Sequence, residues 1–231
     1  MTREPAFYLQ LLRTELAAFR TTLDGDLDAP VAHCGPWTLR DLAGHLGSGN
    51  LWVVTATAEG RGDHHPAAPE GDAALRSWYE ESAAALLAAL DTDPDTPAWT
   101  FRAPHTVGFW QRRRAQETLI HRWDAQHALG AARQPGAEPA ADGIAEVFEV
   151  MAPLMIDRGL APVPERAVRL VADDLGRSWT YGPGEPVATL AGPAGQLLLL
   201  LWGRAADSAP GLEWSGDRAA GRRVLAGPLT P

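Results

Sequence analysis

The chain has 231 residues, 45% of them hydrophobic and 21% charged, which is enough for one large domain or two small ones. All 20 basic residues are arginine and Cys34 is the one cysteine, so lysine Schiff-base chemistry, an intramolecular disulfide, a four-cysteine zinc site and an iron–sulfur cluster are excluded. The formal net charge of −9 argues against a nucleic-acid partner, and any metal must be held mainly by histidine and carboxylate ligands.

Four helices are predicted before residue 130. Apolar residues recur at helical spacing over residues 6–24, 39–58, 73–90 and 107–128. Thr38 followed by Asp41 predicts a capping box at the start of the second helix, and Gly130 predicts the end of the fourth. Together these helices predict a four-helix bundle with one long crossover connection.

The rest of the chain has a different pattern. Residues 132–143 are rich in proline, glycine and alanine and predict a linker, which gives two domains, 1–135 and 136–231. After the linker, helices are predicted over residues 144–157 and 195–204, and strands over residues 167–171, 178–181, 186–190 and 212–214. The predicted fold class is therefore mostly α, with a helical bundle followed by a small C-terminal α+β domain.

Neither a signal peptide nor a membrane span is expected. The first residues mix charges with apolar side chains, which is not typical of a secretory leader. The longest aliphatic run, residues 197–202, is much shorter than a membrane-spanning helix. The sequence therefore predicts a cytoplasmic protein without a membrane partner, and leaves both a monomer and a homodimer open.

The fourth predicted helix carries three residues that can meet on one face. Glu117 and His121 are four residues apart, one helical turn, and Asp124 lies near the same face. A carboxylate and an imidazole on adjacent turns can bind one cation, as in metal sites inside helical bundles. The alternative is a surface pair, in which Arg113 satisfies the carboxylate of Glu117 without any metal.

His45 is a second candidate ligand. It lies at the edge of the leucine stripe of the second predicted helix, from which its ring can reach the bundle core. The alternative is an ordinary core histidine that bonds to a backbone carbonyl.

Cys34 is a possible nucleophile beside His33, just before the second helix, where a thiol pKa can fall. A free cysteine is more often a small buried hydrophobic residue, and we favour that interpretation.

Two segments, CGPWTLRDLAGHLG and FWQRRRAQETLIHRWDAQHALG, resemble the mycothiol-dependent maleylpyruvate isomerase family of DinB-like metalloproteins. The matching positions of the two motifs are Trp37, Thr38, Asp41, Leu42, His45, Leu46, Arg112, Arg113, Glu117, His121 and Asp124. The resemblance implies a DinB-like N-terminal bundle that binds a metal, a linker and a small α+β domain.

The resemblance also implies residue roles. His45, Glu117 and His121 would be the metal ligands for a divalent cation, with zinc favoured and nickel, manganese and iron as alternatives. Asp124 would orient His121 or a metal-bound water, unless it pairs with a neighbouring arginine. Arg204 would bind a substrate carboxylate, unless it caps its helix.

The expected function is that of a metal-dependent enzyme. It would activate a low-molecular-weight thiol such as mycothiol for isomerisation of, or S-transfer to, a small electrophilic substrate. Two alternatives stay open, and Gln116, which replaces a histidine that is common in the family, supports the second of them. They are a DinB-like hydrolase or lyase that uses metal-bound water, and a non-catalytic metal- or ligand-binding member of the fold.

Overall fold

The computed structural model describes residues 4–231. The chain divides into two compact units, of which the first ends at Arg133 and the second runs from Gln134 to Pro231. This division lies two residues before the boundary that the linker composition predicts.

The first unit is a bundle of four helices. They are α1 (Pro5–Thr22), α2 (Leu39–Ala58), α3 (Asp72–Leu90) and α4 (Val107–Ala128). Within the bundle α1 packs against α4, and α2 packs against α3. The core is filled by fully buried apolar side chains from all four helices, among them Leu12, Phe19, Leu42, Leu46, Tyr79, Leu86 and Trp110. The predicted helical bundle is therefore confirmed.

The start of α2 is fixed by a reciprocal cap. The Thr38 hydroxyl accepts a hydrogen bond from the backbone N–H of Asp41, and the Asp41 carboxylate accepts one from the backbone N–H of Thr38 at 2.8 Å. The bonds from Thr38 lower the pKa of Asp41, so the carboxylate stays charged at the positive end of the helix. The predicted capping box is present, and it sets the register in which His45 follows two turns later.

The second unit begins with a longer helical run than the sequence predicts. It comprises α5 (Ala137–Glu146), a π-helical turn (Val147–Met151) and α6 (Ala152–Asp157). The prediction placed residues 137–143 in a linker, and that is wrong. Pro139 lies in the first turn of α5, where its missing N–H has no intrahelical partner, so the proline is compatible with a helix start.

A four-stranded sheet completes the α+β unit. Its strands are β1 (Ala167–Ala172), β2 (Arg177–Tyr181), β3 (Pro186–Gly192) and β4 (Glu213–Gly216). The strand order is β2-β1-β3-β4, with β1 parallel to β3 and the other two pairs antiparallel. The four predicted strands are thus present. A final helix, α8 (Arg218–Val224), was not predicted.

The leucine-rich segment forms α7 (Ala194–Leu201), which connects β3 to β4 along the chain. It ends three residues before the predicted end, so Arg204 follows the helix instead of lying in its last turn. Leu197, Leu198 and Leu201 are buried. No helix within residues 4–231 combines the length and the apolar character needed to cross a membrane.

Candidate metal centre

Three of the predicted site residues meet inside the first unit. His45 comes from α2, while Glu117 and His121 come from successive turns of α4. One nitrogen or oxygen atom from each lies within 4.8 Å of the other two. Nε2 of His45 is 3.1 Å from Oε1 of Glu117, and the two imidazole rings are 5.1 Å apart between centroids. The bundle thus brings together two imidazoles and one carboxylate from two helices. His45 and Glu117, the hydrogen-bonded pair, are 72 residues apart along the chain.

Asp124 lies behind His121. Its Oδ2 is 3.1 Å from Nδ1 of His121, and both side chains are buried. A carboxylate at Nδ1 selects the tautomer that carries its proton there, which leaves the Nε2 lone pair for a cation. Burial lowers the pKa of His121, although the hydrogen bond with Asp124 acts in the opposite direction. The imidazole is therefore neutral at pH 7, as a metal ligand must be.

The carboxylate of Glu117 is ionised in the bundle. Burial alone would raise the pKa of Glu117, but the charge of Arg114, the hydrogen bond with His45 and the charge of Arg113 bring it well below the ordinary value of 4.5. Oε2 is 3.0 Å from Nη1 of Arg114 and 3.7 Å from Nε of Arg113.

The closer partner, Arg114, is a residue that the sequence interpretation missed, since it considered only Arg113. A position three residues before Glu117 is as close on a helix as one four residues before it. The run of three arginines, residues 112–114, therefore indicated that an arginine pairs with Glu117, but not which arginine does so.

Cys34 lies beside the candidate centre. It is half-buried, and its Sγ is 3.6 Å from Oδ2 of Asp124. Cys34, His121 and Asp124 form a second group whose potential ligand atoms lie within 4.8 Å of one another. The thiol thus contacts the carboxylate that is hydrogen-bonded to His121, a contact that the favoured interpretation of Cys34 did not include.

A cavity of about 710 Å³ opens beside His45 and Glu117. Its aromatic lining includes Trp37, whose ring lies 5.0 Å from that of His45, together with Trp52 and His65. The loop that follows α2 contributes residues 65–70 to the wall. This volume falls in the range of small-molecule sites, so the cavity can hold a ligand next to two of the three candidate metal ligands.

The sequence singles out two further residues, Arg204 and Gln116. Arg204 belongs to the second unit, where its Nη1 donates to the carbonyl of Trp202, the C-cap of α7, at 2.6 Å. This bond corresponds to the helix-capping alternative; the role in carboxylate binding stays a prediction. Gln116 is buried in α4, with a relative exposure of 1%.

Two family models match the chain. Residues 9–126 match the model described as the mycothiol maleylpyruvate isomerase N-terminal domain. Residues 138–223 match the model described as the MDMPI C-terminal domain. No curated protein sequence matches the chain significantly.

Two solved structures share the fold. The crystal structure of the mycothiol-dependent maleylpyruvate isomerase aligns with a TM-score of 0.69 at 17% identity, over 93% of this chain and 96% of that chain. A histidine-to-alanine mutant of the same isomerase aligns with a TM-score of 0.70, at the same identity and coverage. The fold predicted from the two motifs is thereby confirmed.

Proposed function

The chain belongs to the mycothiol maleylpyruvate isomerase family, and on that premise we propose that it is a metal-dependent enzyme that activates a low-molecular-weight thiol. The thiol, mycothiol or a similar compound, serves in the isomerisation of a small electrophilic substrate or is transferred to it. The observation that carries the proposal is the convergence of His45, Glu117 and His121, the first two of which line a cavity. The names of the two structural relatives support the use of mycothiol.

The donor set fits a catalytic divalent cation. Two imidazole nitrogens and one carboxylate oxygen are the types of ligand that zinc takes in catalytic sites, where three protein ligands leave one position open. Nickel, manganese and iron can use the same ligands, and zinc is the cation we favour. When bound, such a cation lowers the pKa of a thiol that reaches it, so that the thiolate is present at neutral pH.

The protein's own residues hold the ligands in the protonation states that a cation needs. Asp124 accepts a hydrogen bond from the Nδ1–H of His121, which leaves the lone pair of Nε2 for a cation. The arginines beside Glu117 keep its carboxylate charged in spite of burial. We therefore assign Asp124 a positioning role in the proposed reaction.

The cavity supplies the room for the substrate. Its walls combine aromatic rings with the polar side chains of Arg40, Ser48 and Glu70. Such a mixed lining suits a small polar substrate, because the rings exclude water while a few polar groups fix its orientation.

For the second unit we propose that Arg204 binds a carboxylate of the substrate, since a guanidinium pairs with a carboxylate through two parallel hydrogen bonds. Replacement by methionine then raises KM for an acidic substrate and leaves the metal content unchanged. An unchanged KM contradicts a role of Arg204 in carboxylate binding.

The test begins with metal analysis of three gently purified proteins: wild type, His45→Ala and His65→Ala. His65 lines the same cavity but is not one of the three candidate ligands, so it is the matched control. We expect stoichiometric divalent metal in the wild type and in His65→Ala, and its loss in His45→Ala. Metal-free wild type contradicts the proposal.

The metal-loaded protein is then incubated with small thiols and cis-unsaturated acids, and the products are identified by mass and by NMR. Isomerised product with the thiol recovered indicates an isomerase, and a stable conjugate indicates S-transfer. Product formed without any thiol indicates that metal-bound water reacts instead. Failure of the metal-loaded protein to convert any of these substrates contradicts the proposed reaction and favours the alternative of a binding member of the fold.

A further inference from the structure

We propose that Arg114 is a positioning residue for Glu117: it engages one oxygen of the carboxylate, so that only the other oxygen is presented beside His45. The inference rests on the proposed metal-dependent function and deepens it, because it concerns how one proposed ligand is held. It assigns a role to a buried side chain that belongs to neither the three candidate ligands nor Asp124.

The two oxygens of Glu117 have different surroundings. Oε2 is 3.0 Å from Nη1 of Arg114, with Nε of Arg113 farther away at 3.7 Å. Oε1 is 3.1 Å from Nε2 of His45. The carboxylate therefore has a cationic partner at Oε2 and another candidate metal ligand, His45, at Oε1.

Arg114 is itself fixed to the helix that carries His45. Its side chain is only 1% exposed. Nη2 donates to Oδ1 of Asn50 at 2.7 Å and to the carbonyl of Leu46 at 3.3 Å, and both residues belong to α2. The guanidinium thus ties Glu117 on α4 to the same helix as His45, which fixes one candidate ligand relative to another.

A further layer orients Asn50. Its Nδ2 donates to Oγ of Ser82 at 3.2 Å, and that hydroxyl donates to the carbonyl of Tyr79 at 2.8 Å. Because a guanidinium only donates, the amide must turn its oxygen toward Arg114, and the bond to Ser82 enforces this orientation. Three helices, α2, α3 and α4, therefore determine where the guanidinium lies.

Gly49 supplies the space for the guanidinium. A Cβ atom at this position would lie 2.8 Å from Nη1 of Arg114, which is too close for an ordinary contact. Glycine in the middle of a helix is destabilising, so its presence in α2 has a physical reason here. The side chain that is absent at Gly49 is what allows Arg114 to reach Glu117.

This arrangement acts on the choice of cation. With Oε2 engaged by Arg114, the candidate centre offers two nitrogens and one oxygen, a set that suits zinc. With both carboxylate oxygens available, the centre is richer in oxygen and suits manganese better than before. Arg114 thus biases the centre toward zinc by restricting Glu117 to one oxygen.

The ratio of two affinities tests this role. Zn²⁺ and Mn²⁺ are titrated separately into metal-free protein against a competing chelator, in the wild type, Arg114→Met, Arg114→Lys and Arg122→Met. Removal of a positive charge, or a proton on Glu117, changes the binding of both cations alike, so the ratio isolates the ligand set. Arg122 is the matched control, because it is also buried on α4 but pairs with Glu15.

We expect the preference for zinc over manganese to fall by about tenfold in Arg114→Met, the size typical of a residue that supports a metal ligand. Arg114→Lys keeps a donor and recovers part of the preference, and Arg122→Met leaves it unchanged. An unchanged ratio in folded Arg114→Met overturns the inference.

If circular dichroism shows that Arg114→Met does not fold, Asn50→Ala carries the test, because it removes the partner that orients the guanidinium. It should shift the ratio in the same direction by a smaller factor, and an unchanged ratio overturns the inference. Wild type that binds neither cation overturns the proposed metal-dependent function itself. Wild type that prefers zinc, with the same preference in Arg114→Met, overturns only the role of Arg114.

Discussion

Two buried ion pairs on α4 use their carboxylates in different ways. Nε of Arg122 donates to Oε2 of Glu15 on α1 at 2.6 Å, and the two side chains are 8% and 10% exposed. Arg114 pairs with Glu117, which is 20% exposed and lines the cavity beside His45. The first pair joins two helices, whereas the second holds a carboxylate at the wall of the cavity.

The difference shows how one chemical pairing can serve two purposes. Arg122 also donates to Oε1 of Gln126 and to the carbonyl of Arg133, so its bonds tie the end of α4 to the chain that follows it. Arg114 instead bonds to α2, the helix of a second candidate ligand. Buried ion pairs contribute little net stability compared with apolar packing, so what distinguishes these two is the group that each arginine positions.

The strongest test of the comparison replaces each carboxylate by its amide. Glu117→Gln and Glu15→Gln each leave a buried guanidinium without its charged partner, so each should lower the free energy of unfolding by about 3 kcal/mol. Urea denaturation of the metal-free proteins measures this loss. Glu117→Gln should also abolish stoichiometric metal binding, whereas Glu15→Gln should keep it. Equal loss of metal from both variants contradicts the distinction.

The stability cost of Glu117→Gln should depend on pH. In the folded protein the pKa of Glu117 lies well below 4.5, so its ionised form is favoured on folding. A lowered pKa contributes stability that is complete above the unfolded value and is lost as the pH falls through the folded value. The difference between wild type and Glu117→Gln, measured by urea denaturation with a chelator present, should therefore be full at pH 7 and shrink below pH 4.5. A difference that grows toward acid pH would have the wrong sign.

The sequence was sufficient for much of this site because its signals are local. The capping box of Thr38 and Asp41 fixes the start of α2, and a four-residue spacing places Glu117 and His121 on one face of α4. The grouping with His45 came from the resemblance to a family, since no local spacing connects two separate helices.

What the sequence left out depends on contacts between helices. Arg113 and Arg114 are equally placed to reach Glu117 along α4, and Asn50 and Gly49 on α2 decide in favour of Arg114. Gly47 and Gly49, in the middle of α2, are places where a neighbouring side chain comes close, Trp78 at the first and Arg114 at the second. Helix α8 was missed because its residues, RAAGRRV, show no apolar repeat.

Those two glycines give a smaller test of the same distinction. A Cβ atom at Gly47 would lie 2.2 Å from the ring of Trp78, and one at Gly49 would lie 2.8 Å from Arg114. Overpacking against a rigid ring costs about 1–3 kcal/mol, more than the helix gains from alanine, which is about 0.5–1 kcal/mol. Gly47→Ala should therefore unfold at a lower urea concentration and keep its preference for zinc. Gly49→Ala should change stability little and weaken that preference. If Gly47→Ala weakens the preference for zinc and Gly49→Ala does not, then Gly49 does not serve to make room for Arg114.

The smallest expected effect concerns the other side of the candidate centre. Asp124, which we propose orients His121, is also contacted by Cys34, whose thiol Sγ lies 3.6 Å from Oδ2 of Asp124 and is a weak donor. Cys34→Ala should therefore weaken metal binding by only about 0.5 kcal/mol, or two- to threefold. Cys34→Ser, whose hydroxyl is a better donor, should bind metal as well as the wild type does, in the same chelator competition. A loss in Cys34→Ala as large as the change in zinc preference in Arg114→Met would show that the thiol supports its side of the centre as firmly as the guanidinium supports the other.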